Sequence, residues 1–183
     1  MSNISMVIGS WGSYNECNER ALGSKWLDFD DYDDWDAIVE ELQKQGFELD
    51  GIDEELFVQD IEGIPTDSKN WDNTHPQEIF ELIKESGVLD DDYKYELMEA
   101  YCEVRSFDEW SDRVESYGED WDTDIVFYKG QDMYDVAFNF INECYDLEKM
   151  LGNLASYFDY NAFARDLSYD GFTETEHGVI EIR

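Results

Sequence analysis

The stretch Thr123-Asp-Ile-Val-Phe-Tyr128-Lys-Gly-Gln-Asp132-Met-Tyr-Asp-Val-Ala137-Phe-Asn-Phe140-Ile141-Asn-Glu-Cys144-Tyr145 changes its hydrophobic period halfway along. Up to Tyr128 it is a short run of β-branched and aromatic residues, which predicts a strand over Thr123–Tyr128. From Asp132 to Tyr145 the apolar positions Met133, Val136, Ala137, Phe140 and Ile141 fall on one face of a helix. Two shorter helical stretches follow, around Leu147–Tyr157 and Tyr160–Leu167. Phe172–Glu176 and Val179–Ile182 then predict a hairpin through His177-Gly178. Strand, helices and hairpin together make a small C-terminal α+β domain.

Working back to the N-terminus gives a second α+β pattern. Ile4–Ile8 and Lys25–Phe29 predict short strands, with Gly9–Gly12 and Tyr14–Gly23 as a polar connection. Asp33 or Asp34 caps a helix whose apolar residues are Trp35, Ile38, Val39 and Leu42, and Gly46 stands where it should end. Leu56–Ile61 is another strand. Glu62–Asn70, with Gly63, Pro65, Thr66, Asp67 and Ser68, has the composition of a linker. The middle is helical. Thr74 and Gln77 have capping-box spacing, and Ile79, Phe80, Leu82 and Ile83 follow Pro76 until Gly87. A second helix spans about Asp91–Arg105. Ser106 and Glu109 open a third, ending near Gly118. The expected fold class is thus α+β, in three small domains at 1–62, 63–121 and 122–183, the central one helical.

Acids outnumber bases 47 to 12 over 183 residues, a formal net charge of −35. Nucleic acid and anionic lipid would both be repelled, which excludes them as partners. Disorder is excluded as well, because 42% hydrophobic and 16% aromatic residues with only 2 Pro suffice for a core. No run approaches the roughly 18 apolar residues of a membrane helix, and Met1–Gly12 lacks the pattern of a signal peptide. Cys17, Cys102 and Cys144 form no metal or disulfide spacing; buried free thiols in a reducing cytoplasm are expected.

Chemistry-bearing motifs are missing from the sequence. It has no Walker loop, GxGxxG, GxSxG or HExxH, and His75 and His177 have no ligand-spaced neighbours. Asp166-Leu-Ser-Tyr-Asp170-Gly171 opens like an EF-hand loop, but His177 stands where a bidentate Glu belongs. No catalytic residue, metal or cofactor is expected.

What the chain does contain is a costly placement of acids. Asp92, Glu96, Glu99 and Glu103 fall at i, i+4, i+7 and i+11 on one helix, and Asp108, Asp112 and Glu115 repeat the opening of that spacing on the next. Like charges so placed cost roughly 0.2–0.5 kcal/mol per pair, against a total stability of about 5–15 kcal/mol. Asp28–Glu62 adds fifteen acids offset by Lys44 alone. Mere solubility needs a net charge of only about 2–8. Duplex DNA carries one charge per ~1.7 Å, so 35 charges equal roughly 60 Å of duplex. The count suits an anion of DNA's dimensions.

Three blocks carry a family resemblance: Asp132-Met-Tyr-Asp-Val-Ala137, Leu154-Ala-Ser-Tyr-Phe-Asp-Tyr-Asn-Ala-Phe-Ala-Arg-Asp-Leu167, and Glu176-His-Gly-Val-Ile-Glu-Ile182. With Tyr14-Asn15, Leu22-Gly23 and Trp26-Leu-Asp28, they resemble the ArdA antirestriction proteins. The resemblance implies a cytoplasmic protein of mobile elements or phages, an elongated chain of three small domains in a curved body, and a homodimer imitating bent B-DNA. It implies as target the methyltransferase core of type I restriction–modification enzymes; the expected function is inhibition of restriction, with modification as a second step open to the same block. Asp132, Asp135 and Glu143 lie in or beside a matched block and take on an interaction role with it. Arg165 is expected in an internal ion pair, and Tyr93, Tyr101 and Trp110 in packing. Two other readings compete: a mimic aimed at another nuclease such as a CRISPR effector, and a salt-adapted acidic protein with no target.

Overall fold

The computed structural model describes residues 4–65 and 74–183. The chain forms two compact units: residues up to Tyr95 together with Phe107–Trp121, and Glu96–Ser106 together with Asp122–Arg183. The fold is mixed α+β, and each unit holds one three-stranded antiparallel sheet. Residues 66–70 of the expected linker lie outside the described residues.

In the first unit β1 (Ser5–Ser10) runs between β2 (Leu27–Asp28) and β3 (Leu56–Glu62). All six β1 residues are buried, as suits a strand with a neighbour on each edge. Val7 pairs with Asp60 and Ile8 with Val58, so Gln59 is the extra residue of a bulge. The connection after β1 contains a helix that the sequence reading missed, α1 (Trp11–Glu16). The Ser10 hydroxyl caps it by accepting from the Ser13 N–H at 3.3 Å. Six residues make less than two turns, too short for a period to show.

Asp34, the second of the two expected caps, starts α2 (Trp35–Lys44); its Oδ1 accepts from the Ala37 N–H at 2.9 Å. At α3 (Pro76–Ser86) the expected Thr74–Gln77 box gives way to His75, whose Nδ1 accepts from the Gln77 N–H at 3.2 Å. Pro76 prefers the first helical position, which makes the residue before it the cap. α4 (Asp92–Val104) belongs to this unit only up to Tyr95. α5 (Phe107–Tyr117) returns to it. There the Trp121 indole N–H donates to the Ser86 carbonyl at 3.0 Å while the ring meets Trp110 edge-on, centroids 5.8 Å apart. Phe29 and Phe80 meet likewise at 5.2 Å, joining the region after β2 to α3.

In the second unit β6 (Gly178–Ile182) is central, flanked by β4 (Ile125–Lys129) and β5 (Phe172–Thr175). α6 (Met133–Cys144), α7 (Leu147–Leu151) and α8 (Tyr160–Tyr169) lie between β4 and β5 in sequence. Val136, Ala137, Ala164, Leu167, Phe172 and Val179 form one buried cluster, with Met133 and Phe163 packed on it. The hairpin turns one residue earlier than expected. Thr175 pairs with Gly178, leaving Glu176 and His177 as the turn.

Gly178 is a strand residue for a steric reason. It faces Lys129 across the ladder with φ +145°, and a Cβ there would run into the Tyr128 carbonyl. Gly178→Ala should therefore destabilise the chain by about 1–3 kcal/mol, read as a lowered urea midpoint. A variant as stable as the parent would show that β4 does not lie so close.

The cysteine expectation needs correcting. Only Cys102 is shielded; Cys17 and Cys144 are exposed. Cys17 ends α1 in a left-handed conformation at φ 51°, and Cys144 is the last residue of α6, beyond buried Ile141. Burial, reinforced by the Glu99 charge, pushes the Cys102 thiol up to about 12. Arg165 also departs from expectation. It is exposed on α8 beside inward-facing Ala164 and makes no ion pair among the described residues.

Candidate acidic interaction surface

The acids of Asp28–Glu62 are almost all at the surface. Asp53 is buried, Asp28 and Glu41 are half-buried, and the other twelve of the fifteen are exposed. The reason is local. α2 buries Ile38 and Leu42, which turns Asp36 and Glu40 outward, and the acids flanking the helix lie in turns. Tyr32 reports the resulting field. Burial and then the charges of Glu41, Asp31 and Asp28 raise its hydroxyl above the ordinary tyrosine value.

α5 behaves similarly. Phe107, Trp110 and Val114 are buried at the helical period, so Asp108, Asp112 and Glu115 stand exposed on the remaining face. In the second unit Asp132, Asp135 and Glu143 are exposed, and Asp132 also caps α6 by accepting from the Asp135 N–H at 2.8 Å. Of the aromatic residues expected in packing, Tyr101 and Trp110 are buried, but Tyr93 is 40% exposed.

The α4 stripe is different. Asp92 and Glu103 are exposed while Glu96 and Glu99 are half-buried. Glu96 pairs with Lys129 at 2.9 Å. Glu99 and Glu103 approach the His177 Nε2 at 3.7 and 3.6 Å, and Glu103 accepts from the Glu176 N–H at 3.0 Å. The helical period placed these acids on one face correctly but said nothing of what that face meets. Lys129 and His177 come from β4 and from the β5–β6 turn, and no local sequence signal links either to α4.

One acid plays the opposite part. Asp53 is wholly buried and is held by the Ser13 hydroxyl, the Glu48 N–H at 2.8 Å and the Arg20 Nε at 2.8 Å. Burial pushes its pKa up, but these partners outweigh burial and hold the carboxyl below the usual carboxylate range. In the sequence it is one acid among fifteen.

Among the described residues, no group of three or more His, Cys, Asp or Glu is placed to hold a metal ion. No helix there is long and apolar enough to cross a membrane. The surface thus offers carboxylates in number and over both units, the chemistry for binding a basic cleft.

The comparisons with known proteins bear on this surface. No curated protein matches the chain. The family model described as antirestriction protein (ArdA) matches residues 6–181, nearly the whole chain. This protein therefore belongs to the ArdA family of antirestriction proteins.

Proposed function

We propose that the protein inhibits type I restriction–modification enzymes by occupying the DNA-binding groove of their methyltransferase core, its carboxylates standing in for phosphates. The observation that carries this reading is the outward display of acids on α2, α5 and α6 with so few cations to offset them. Such a surface attracts a Lys- and Arg-lined groove over a distance of about a Debye length and speeds encounter. Blocking modification along with cleavage follows, since both require DNA in the same groove.

We also propose a homodimer. Two chains at −35 repel each other except where carboxylates are sparse and apolar side chains are exposed. The stretch 147–157 meets both conditions. It carries Glu148 and Lys149 as its only charges, and Met150, Leu154 and Tyr157 are 64%, 64% and 83% exposed. An uncovered apolar surface of this kind marks an association site.

Titration tests the function. Adding the protein to a type I enzyme should abolish cleavage at a fixed stoichiometry, and excess DNA should restore it. Inhibition at catalytic amounts, or a covalent change in the enzyme, would overturn the reading. The field is distributed, so Asp112→Asn alone should weaken inhibition less than about two-fold, whereas neutralising six exposed acids should weaken it steeply. Loss of all activity in the single variant would mean a localised site instead.

A further inference from the structure

Three acids of the α4 stripe face the two basic side chains of the β-sheet end beneath them. Lys129 closes β4 and reaches Glu96; His177 occupies the β5–β6 turn and lies between Glu99 and Glu103. The turn itself is firmly built. The His177 N–H donates to Thr175 Oγ1 at 3.2 Å, and its carbonyl accepts from the Gly130 N–H at 2.9 Å. Glu103 is bonded to the adjoining Glu176 N–H at 3.0 Å.

We propose that His177 is a proton-dependent clamp, a positioning residue that fixes the Glu96–Val104 part of α4 against the C-terminal hairpin and withdraws Glu99 and Glu103 from the target-facing charge. At 3.6 and 3.7 Å from the two carboxylates, Nε2 is beyond ordinary hydrogen-bond length. A neutral imidazole therefore gains little there, and the attraction depends on the imidazolium charge. Without that charge, Glu99 and Glu103 stand one helical turn apart as like charges. The other charged groups near it are Lys129, paired with Glu96, and the Glu176 side chain next in sequence; Cys102, on α4 beside Glu99, has its pKa raised and stays a neutral thiol. Histidine is the one among these residue types that ordinarily changes charge between pH 5 and 8.

The effect on target binding rests on the inhibitor reading above; the clamp itself does not. The test is hydrogen exchange of the Glu96–Val104 amides at pH 6 and pH 8, corrected for the intrinsic rate, in the full chain. The native protein should show about two- to five-fold greater protection at pH 6, the range of a half-exposed ion pair. His177→Gln should lose this pH dependence, and His177→Lys should give the protected state at both pH values. Glu99→Gln with Glu103→Gln should flatten the dependence with His177 intact. An unchanged pH dependence in His177→Gln, or no rescue by His177→Lys, overturns the clamp. Competition binding to a type I methyltransferase at the same two pH values reads the second half: affinity should be about two- to five-fold higher at pH 8, and equal at both in His177→Gln. A protein that shows the exchange signature but binds no methyltransferase retains the clamp and refutes the inhibitor reading.

Discussion

Replacing Asp53 with Ala should cost about 3–5 kcal/mol, the penalty for removing one partner from a buried ion pair. Arg20 keeps 22% of its side chain exposed, which places the effect at the lower end. The loss also strands the Glu48 N–H and the Ser13 hydroxyl, both aimed at the missing carboxylate. Two further contacts depend on the same loop. The Trp11 N–H donates to the Glu55 carbonyl at 3.0 Å, and Gly12 passes so close to the Ile52 carbonyl that no Cβ fits. Asp53 thus fastens the start of α1 to the segment before β3. Asp50→Ala, at an exposed acid in the same segment, should be neutral or slightly stabilising because it relieves repulsion.

The pH dependence separates these two kinds of acid. Asp53 has its pKa depressed in the folded chain, so its contribution is complete above the unfolded value of about 3.9. That contribution is lost as the pH falls through the lower, folded value. The gap between the native chain and Asp53→Ala should therefore stay constant from pH 7 to about pH 5 and narrow in stronger acid. Urea denaturation at each pH measures it. A gap under 1 kcal/mol at pH 7, or one that widens in acid, would remove Asp53 from this role.

How much of this was legible depends on the length of the signal. α2 and α6 were readable because Trp35–Leu42 and Met133–Ile141 each repeat an apolar position over two turns, and α3 because Ile79, Phe80, Leu82 and Ile83 cluster between Pro76 and Gly87. α1 was not, with six residues and a serine cap that also suits a loop. The hairpin was found but misregistered, because His177-Gly178 looks like a turn while Gly178 is needed where β4 crosses. The charge of the candidate surface was readable in full; its division was not. Whether an acid stands in water, as Asp112 does, meets a cation, as Glu96 does, or anchors a loop, as Asp53 does, depends on residues distant in sequence. Periodicity sorts residues by face and is blind to what approaches that face.

Salt should move binding and stability in opposite directions. A groove that binds DNA contacts phosphates, and its affinity falls about 10³- to 10⁵-fold between 50 and 200 mM salt for six to ten contacts. Carboxylates on this chain are sparser than phosphates. The exposed acids Asp108, Asp112 and Glu115 of α5 give one charge per about 5 Å, against ~3.4 Å along a DNA strand. Under the proposed function, affinity for the methyltransferase core should accordingly fall by about 10²-fold over the same range, less than the fall for DNA itself. Stability should rise meanwhile, because added ions screen the repulsion among 47 acids opposed by 12 bases. The melting temperature is expected to climb from about 50 to 500 mM NaCl and then level off as the Debye length drops below the spacing of neighbouring acids. A salt-adapted protein without a target shares the rise in stability but is largely unfolded at the low end and has no complex to lose. Circular dichroism and competition binding over one salt series distinguish the two. Unfolding at 50 mM, or affinity that holds or increases with salt, would sink the mimic. A folded chain at 50 mM whose complex dissolves as its own fold tightens is what a surface built from unneutralised carboxylates requires.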